Sequence, residues 1–303
     1  TYVRSFNQPI SMIAQNMNIL QSTAAAAERV FAFLEEEEEV PECENPVEIY
    51  DADGHTDIQG QVTFENVHFG YRPDKIIIHD FSMYIKPGRK IAIVGPTGAG
   101  KTTIIKLLMR FYELNSGTIY IDGIPTTQMR RSDLRSLFGM VLQDAWLFGG
   151  TVMENLRYGR PDATDEEVIK AADAAYVDHF IRTLDHGYQT VINEESSNIS
   201  QGQKQLLTIA RAFLADPKIL ILDEATSSVD TRTEVLIQKG MQKLMENRTS
   251  FVIAHRLSTI RDADLILVMK DGDIIEAGSH DELMKADGFY TQLYNSQFDE
   301  EEE

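Results

Sequence analysis

The chain has 303 residues, and its 28 Lys and Arg against 48 Asp and Glu give a formal net charge of −20. Binding to a nucleic acid duplex needs clustered Lys and Arg, so we expect no nucleic acid partner. The hydrophobic fraction of 43% and the charged fraction of 25% are ordinary for a folded protein and exclude wholesale disorder. Half of the excess negative charge lies in residues 35–39 and 299–303, and such short acidic runs are typical of linkers and tails.

Cys43 is the single cysteine, which excludes an internal disulfide and fits a reducing compartment. The sequence contains no run of roughly 18 apolar residues, so we expect no membrane-spanning segment. We expect no signal peptide, because the first residues lack an apolar core, and the sequence begins with Thr1 rather than Met. We therefore expect it to be a piece of a longer protein.

The first predicted element is a helix over residues 10–34 with apolar side chains spaced alternately by three and four. These side chains form one stripe, hereafter the apolar seam: Ile10, Ile13, Met17, Leu20, Ala24, Ala27, Phe31 and Leu34. The seam either packs on its own domain or contacts partner helices that this chain lacks. We favour the second interpretation because no helix that could pair with it follows directly. Residues 35–59 are predicted to be an acidic linker, since Pro41, Pro46 and a block of like charges oppose continued helix.

Two kinds of strand follow from about residue 60. Residues 62–69, 81–85 and 118–121 alternate in polarity, as half-buried strands do. Residues 91–94, 219–222, 251–254 and 265–268 are continuous apolar runs, which are typical of parallel strands covered by helices on both faces. Between about 144 and 215 helical patterns prevail without a strong strand signal, which predicts a helical subdomain inserted into an α/β core.

A phosphate-binding loop directly follows the apolar run 91–94. Its residues are Gly95, Pro96, Thr97, Gly98, Ala99, Gly100, Lys101 and Thr102, followed by a helix predicted over 103–111. Glycines let several backbone N–H groups point at one anion, and the start of the helix adds partial positive charge. We expect Lys101 to reach the β- and γ-phosphates and the Thr102 hydroxyl to bind Mg²⁺. The sequence therefore predicts a nucleotide site.

Two adjacent acids end the apolar run 219–222. Asp223 is predicted to lie beside the phosphate loop and to bind the metal, because strand ends meet at one edge of a parallel sheet. Glu224 is placed to polarise an attacking water. Adjacent buried carboxylates are costly unless a cation holds them, which favours a metal-dependent site.

These motifs, in this order, resemble the nucleotide-binding domain of ATP-binding cassette (ABC) transporters, specifically of exporters that fuse it behind a transmembrane domain. The resemblance covers about residues 60–298. It implies a phosphate-loop NTPase core with a mixed sheet, an antiparallel β subdomain and the helical subdomain, preceded by the long helix of residues 1–34. It also implies ATP and Mg²⁺ as ligands.

The resemblance assigns further roles by position. Tyr71 matches the aromatic that stacks on adenine, and Gln143 matches the glutamine that contacts Mg²⁺, the water and the membrane domain. His255 matches the histidine on the γ-phosphate, and Asp230 lies in the loop that crosses the dimer interface. The expected catalytic set is Lys101, Gln143, Glu224 and His255, and the expected metal ligands are Thr102, Gln143 and Asp223. The expected nucleotide contacts are Tyr71, Pro96, Thr97, Gly98, Ala99, Gly100, Lys101, Thr102 and Thr103.

The family signature, Ser-Gly-Gly-Gln, reads Ser200, Gln201, Gly202 and Gln203 here and opens a helix over 204–214. In the family this loop faces the γ-phosphate held by a second subunit, so two domains enclose two ATP. Gln201 departs from the family's glycine, and residues 190–195 lack the glycine common in the exporter loop on the membrane domain. These departures resemble heterodimeric bacterial exporters and favour a heterodimer, with a homodimer as the alternative.

The resemblance thus implies an ATP-hydrolysing motor at the cytoplasmic face of the membrane, with residues 1–34 as the cytoplasmic end of the last transmembrane helix. Two alternatives are a regulatory cassette that binds ATP with little hydrolysis and a soluble ABC ATPase outside transport. Retention of Glu224 and His255 weighs against the first. The acidic charge and the exporter-like residues 146–155 weigh against the second.

Overall fold

The computed structural model describes residues 2–51, 54–72, 74–142, 144–193, 198–223, 229–254 and 257–298. The chain divides into two compact units, Thr1–Pro41 and Glu42–Glu303. The first unit is built on helix α1 (Tyr2–Leu34), which ends where the run of glutamates begins. The six large side chains of the apolar seam are each at least half exposed. Across the described residues, no helix combines the length and the apolar character needed to cross a bilayer.

A six-stranded sheet forms the centre of the second unit. Its strands are β3 (Lys90–Val94), β6 (Phe138–Val141), β9 (Ile219–Asp223), β10 (Thr249–Ile253), β11 (Leu265–Lys270) and β12 (Asp273–Gly278). Their order is β12-β11-β3-β10-β9-β6. Only β12 pairs antiparallel among these neighbours. The mixed sheet of the predicted fold class is therefore confirmed.

Both faces of this sheet are buried, which explains why its strands read as continuous apolar runs. Alternate residues along one strand belong to two different hydrophobic cores. One core contains Ala92, Val94, Leu220 and Leu222 together with apolar residues of the helical region. The other contains Ile91, Ile93, Ile219 and Ile221 together with the second sheet and the helix after the phosphate loop.

The second sheet is antiparallel, as the fold class predicts. It contains β1 (Val62–Phe69), β2 (Ile78–Ile85), β4 (Ser116–Ile121) and β5 (Ile124–Pro125) in the order β2-β1-β4-β5. Phe64 of β1 and Phe81 of β2 are buried and pack edge to face with ring centres 4.9 Å apart. The inward residues of these strands thereby join the core beneath the central sheet.

The region 144–215 is helical, with α4 (Val152–Arg157), α5 (Asp165–Ala174), α6 (Asp178–Thr183) and α7 (Gln201–Ala215). It also contains a pair of two-residue strands that the sequence did not predict, β7 (Gly150–Thr151) and β8 (Val191–Ile192). Helices α4, α5 and α7 each begin with a capping box, in which a Ser or Thr and the residue three positions on exchange hydrogen bonds. Their starts are therefore encoded locally.

The remaining helices are α2 (Lys101–Leu108), α3 (Arg131–Ser136), α8 (Thr231–Met245), α9 (Leu257–Arg261), α10 (His280–Ala286) and α11 (Phe289–Phe298). Helix α2 corrects the prediction of a helix over 103–111, since it begins at Lys101 and ends at Leu108. Arg110 takes a positive φ of 53°. The chain leaves the helix at this left-handed residue, and the buried Arg110 guanidinium group pairs with Glu113 at 2.8 Å.

Candidate nucleotide-binding site

The phosphate loop connects β3 to α2 and depends on glycine at its first position. Gly95 has φ 148°, and a Cβ there would lie 2.1 Å from the carbonyl oxygen of Met269 on β11. Gly98 and Gly100 also have positive φ, of 86° and 100°, but the space beside Gly98 is open. Only glycine combines this backbone path with so close an approach to the neighbouring strand.

The rim of the loop is open, whereas its base is packed. Pro96, Thr97 and Gly98 are exposed, and Ala99 and Gly100 are buried. Helix α2 begins at Lys101, so the N–H groups of its first turn lie at the loop and lack intrahelical acceptors. Thr102 is exposed and Thr103 is buried. The arrangement is the one that binds a phosphate anion at a helix start.

Lys101 turns back over the loop. Its Nζ donates to the carbonyl oxygens of Gly95 at 2.7 Å and Pro96 at 3.0 Å. Partial burial lowers the pKa of Lys101, and the nearby Asp223 carboxylate acts in the opposite direction. The ammonium group is therefore already positioned at the loop and is bonded to neutral oxygens that an anion can replace.

Asp223 ends β9, two strands away from the strand that precedes the loop. The register pairs Asp223 with Ile253 of β10, and Ile253 with Ile93 of β3. The sequence prediction that Asp223 lies near the phosphate loop agrees with this register and with its effect on Lys101. Gln143, Glu224 and His255 lie outside the described residues.

The chemistry of Thr102 and Asp223 fits Mg²⁺, which takes hard oxygen ligands and keeps several waters. Within the described ranges, no three acidic, histidine or cysteine side chains gather to hold a metal on their own. That finding is compatible with Mg²⁺, because the ion is ordinarily bound by one or two protein oxygens together with substrate phosphates.

Tyr71 lies at the start of α2, where its hydroxyl is 3.4 Å from the Thr103 hydroxyl. Its ring is 43% exposed and packs edge to face on Phe69 and Tyr112, each at 4.9 Å. Lys106 Nζ lies 5.8 Å from the ring centre. The sequence analysis missed Tyr112 and Lys106, because nothing in their spacing marks them as neighbours of Tyr71.

The signature residues open α7. The Ser200 hydroxyl accepts from the Gln203 N–H at 3.3 Å, and the Gln203 side-chain oxygen accepts from the Ser200 N–H at 2.9 Å. Gln201 is exposed at the first helical position. Gly202 is buried, and a Cβ there would lie 2.6 Å from Thr233 Cγ2 and 2.7 Å from Val229 Cγ1. The departure from the family pattern thus falls at the exposed position.

Asp230 lies beside this loop. It caps α8 by accepting from the Thr233 N–H at 3.0 Å, and these hydrogen bonds lower the pKa of its carboxyl group. Because Gly202 lies against Val229 and Thr233, the structure places the signature loop beside the start of α8, which Asp230 caps.

A phosphate loop between a parallel strand and a helix, with a carboxylate at the end of a nearby strand, defines a phosphate-loop nucleoside triphosphatase. A family model described as ABC transporter matches residues 78–227. The predicted family is therefore confirmed: the chain belongs to the ABC transporter family and is its ATP-binding domain. ATP-binding domains of this family are ATPases.

The chain is similar to three proteins of this family. The chain is 56% identical over 292 residues to a "Fatty acid ABC transporter ATP-binding/permease protein" of Mycobacterium bovis, covering 96% of this chain and 45% of that protein. It is 42% identical to "ATP-binding cassette sub-family B member 6" of Xenopus tropicalis, covering 98% and 34%. A solved bacterial Atm1-family ABC exporter with ATP bound superposes with a TM-score of 0.79 at 41% identity, covering 92% and 48%. The chain spans less than half of each of these proteins.

Proposed function

We propose that the chain is the motor domain of an ABC exporter, which hydrolyses ATP at the cytoplasmic face of a membrane to drive transport by an attached or associated transmembrane domain. One observation carries the proposal. Lys101 lies over the phosphate loop, bonded to the Gly95 and Pro96 carbonyls and acted on by Asp223. An ammonium group so placed supports binding and charge stabilisation of a terminal phosphate.

The remaining roles follow from position. Backbone N–H groups of residues 97–102 bind the phosphates, and Tyr71 stacks on the adenine through its exposed ring. Glu224 orients and deprotonates the attacking water, and His255 contacts the γ-phosphate. Thr102, Gln143 and Asp223 would hold Mg²⁺, which when bound neutralises charge on the phosphate oxygens. The residues around Gln143 transmit the nucleotide state to the membrane domain.

The functional unit in this proposal is a dimer around two ATP. Ser200–Gln203 of each subunit face the γ-phosphate held by the other, and the Asp230 loops meet at the interface. Exposure of Ser200 and Gln201 and the start of α7 at this loop support that role. We favour a heterodimer, because Gln201 replaces glycine at the exposed position.

Glu224→Gln tests the assignment of the water-activating residue. We expect the variant to retain Mg-ATP affinity and to lose about 100-fold or more in turnover, the range that general bases supply. ATPase activity and ATP binding are measured on the full-length protein with its partner, with the exposed Glu246→Gln as the control. Unchanged turnover in Glu224→Gln would show that Glu224 has another role. Absence of hydrolysis in the unmodified protein would instead support a regulatory cassette.

Subunit composition tests the heterodimer. The full-length protein is tagged, purified from its own organism and analysed by mass spectrometry. We expect a second polypeptide of the same family that lacks glutamate at the position of Glu224. A single polypeptide in a stable dimer would establish the homodimer instead.

A further inference from the structure

Arg211 lies on α7, about three turns after the signature loop, and is half-buried. Burial lowers the pKa of its guanidinium group to about 10, and Tyr158 acts in the opposite direction. Its guanidinium group donates to three oxygens, all of them neutral. A buried cation with such partners is costly to place, which points to a role beyond filling space.

The contacts of Arg211 all lead to one segment, residues 146–158. Nη1 donates to the Trp146 carbonyl at 2.6 Å, Nε to the Asn155 carbonyl at 2.5 Å, and Nη2 to Asn155 Oδ1 at 2.6 Å. The guanidinium carbon lies 6.0 Å from the ring centre of Phe148 and 5.6 Å from that of Tyr158. A planar fork with several donors holds a segment in one orientation, which a lysine cannot do.

Asn155 forms further hydrogen bonds within the same segment. It is fully buried, its Oδ1 also accepts from the Phe148 N–H at 3.1 Å, and its Nδ2 donates to the Phe148 and Thr151 carbonyls at 3.0 and 3.1 Å. Gly159, directly after the segment, packs closely against α7, since a Cβ there would lie 2.4 Å from the Arg211 carbonyl oxygen. Arg211 and Asn155 therefore join both ends of the segment to α7.

The outer side of the segment carries two exposed aromatic side chains, Trp146 and Tyr158, hereafter the aromatic surface. These side chains are 62% and 64% exposed, and Trp146 follows position 143 by three residues in sequence. Trp146 packs against Phe148 and Tyr158 at ring distances of 6.0 and 6.5 Å. The Arg211 guanidinium group stacks on two rings of this cluster.

We propose that Arg211 is a positioning residue that makes the aromatic surface move with α7, so that nucleotide bound at the signature loop changes the position of this surface. The effect of nucleotide on the aromatic surface rests on the proposed function. The structural part of the inference, the fixation of residues 146–158 by Arg211, stands on the contacts alone.

Arg211→Lys tests whether Arg211 holds residues 146–158 in place, because lysine keeps the positive charge but lacks the planar guanidinium group with its several donors. We expect backbone amides of residues 148–157 to exchange hydrogen for deuterium at least about tenfold faster in the nucleotide-free chain, because local opening costs less free energy. Arg248→Lys is the matched control, since Arg248 donates to the Pro217 and Leu244 carbonyls outside this segment. If Arg211→Lys does not fold, Tyr158→Ala removes one ring from the cation at an exposed position and is expected to speed exchange about twofold. Exchange equal to that of the unmodified chain would overturn the proposal.

Trp146 is the single tryptophan of the chain, so its fluorescence reports on the aromatic surface. The signature loop faces nucleotide held by the other subunit, so the measurement is made on the dimer with its partner, whose tryptophans are replaced by phenylalanine. In this dimer we expect Mg-ATP to change acrylamide quenching of Trp146 in the unmodified chain and in Arg248→Lys. Arg211→Lys is expected to bind Mg-ATP within about threefold of the normal affinity and to lose this change. In the dimer, Mg-ATP binding without any Trp146 response in the unmodified chain, or an undiminished response in Arg211→Lys, would overturn the proposal. Failure of the unmodified chain to bind Mg-ATP would refute the proposed function instead, and the exchange result would still decide the fixation.

Discussion

At the scale of single residues, we expect Lys101 to contribute to nucleotide binding and not to the stability of the fold. Its ammonium group is partly buried and bonded to carbonyl oxygens of the phosphate loop, and burial lowers its pKa. We expect Lys101→Met to weaken Mg-ATP binding by about tenfold or more, equivalent to about 1.4 kcal/mol, while the thermal midpoint stays unchanged. Calorimetric titration and thermal unfolding measure the two effects. Lys86→Met, at an exposed position, should alter neither, and a large drop in midpoint for Lys101→Met would contradict a role in binding alone.

Alanine substitutions at two glycines of the phosphate loop distinguish backbone strain from a steric clash. Gly98→Ala introduces a Cβ into open space at a positive φ, so we expect a loss of about 1 kcal/mol in the free energy of unfolding. Gly95→Ala also forces its Cβ against the Met269 carbonyl, and we expect a loss of about 2–3 kcal/mol. Urea unfolding of the two variants measures the difference. Equal losses would show that the strand β11 moves aside.

The positions of single residues in the fold were predictable where a motif ties them to a strand and a helix, as for the phosphate loop and Asp223, and their roles stay predictions. Arg211, Asn155 and Tyr112 were not predictable in this way. Arg211 bonds Asn155 and Trp146 across 56 and 65 positions, and Tyr112 contacts Tyr71 across 41. No local pattern encodes a contact across such a distance. The sequence prediction for Tyr71 at the base site stays a prediction.

At the scale of elements, local hydrogen bonds determine where several helices begin. Thr164 caps α5 by accepting from the Glu167 N–H, and Glu167 accepts from the Thr164 N–H and hydroxyl. We expect Thr164→Ala to lower the free energy of unfolding by about 1 kcal/mol without changing Mg-ATP affinity. Ser132→Ala, on the exposed side of α3, should change stability by less than about 0.5 kcal/mol. Denaturant unfolding of both variants tests the difference, and equal effects would argue against the cap.

Elements with strong periodicity were predicted, and those without it were missed. The alternating run 62–69 coincides with β1, and the four continuous apolar runs all lie in the central sheet. Strand β6 was missed because Gly139 interrupts its apolar run, although it is fully paired with β9. Strand β12 alternates between exposed and half-buried residues, so its pattern carries too little apolar character. Strands β7 and β8 are two residues long, below the length that any pattern can mark.

At the scale of the whole molecule, His280 makes stability depend on pH. It shares a 2.8 Å hydrogen bond with the Tyr290 hydroxyl and thereby joins α10 to α11. Burial, assisted by Arg261, lowers the pKa of His280, while Asp281 acts in the opposite direction. Between the folded-state pKa of His280 and about pH 6.5, the usual pKa of histidine, the unfolded chain binds this proton and the folded chain does not. The free energy of unfolding therefore falls as pH drops from about 6.5 to the folded-state pKa.

His280→Asn isolates this contribution, because asparagine keeps a hydrogen-bonding group near the position of Nδ1 and does not titrate. We expect the stability advantage of the unmodified chain over the variant to shrink between pH 7.5 and pH 5. Thermal or denaturant unfolding of both proteins across that range gives the difference directly. An advantage that grows on acidification would mean that the charged form of His280 is favoured in the folded state.

The cap of α7 has a consequence for nucleotide affinity in the proposed dimer. Before any anion arrives, the Ser200 and Gln203 N–H groups already donate to side-chain oxygens within the chain. A phosphate oxygen that binds to either of these two N–H groups competes with those side-chain oxygens, so at these groups it exchanges hydrogen bonds instead of adding them. The net free energy of such an exchange is smaller than a count of contacts implies. At these two groups, selectivity for a triphosphate over a diphosphate therefore comes chiefly from charge, which makes this contribution sensitive to ionic strength.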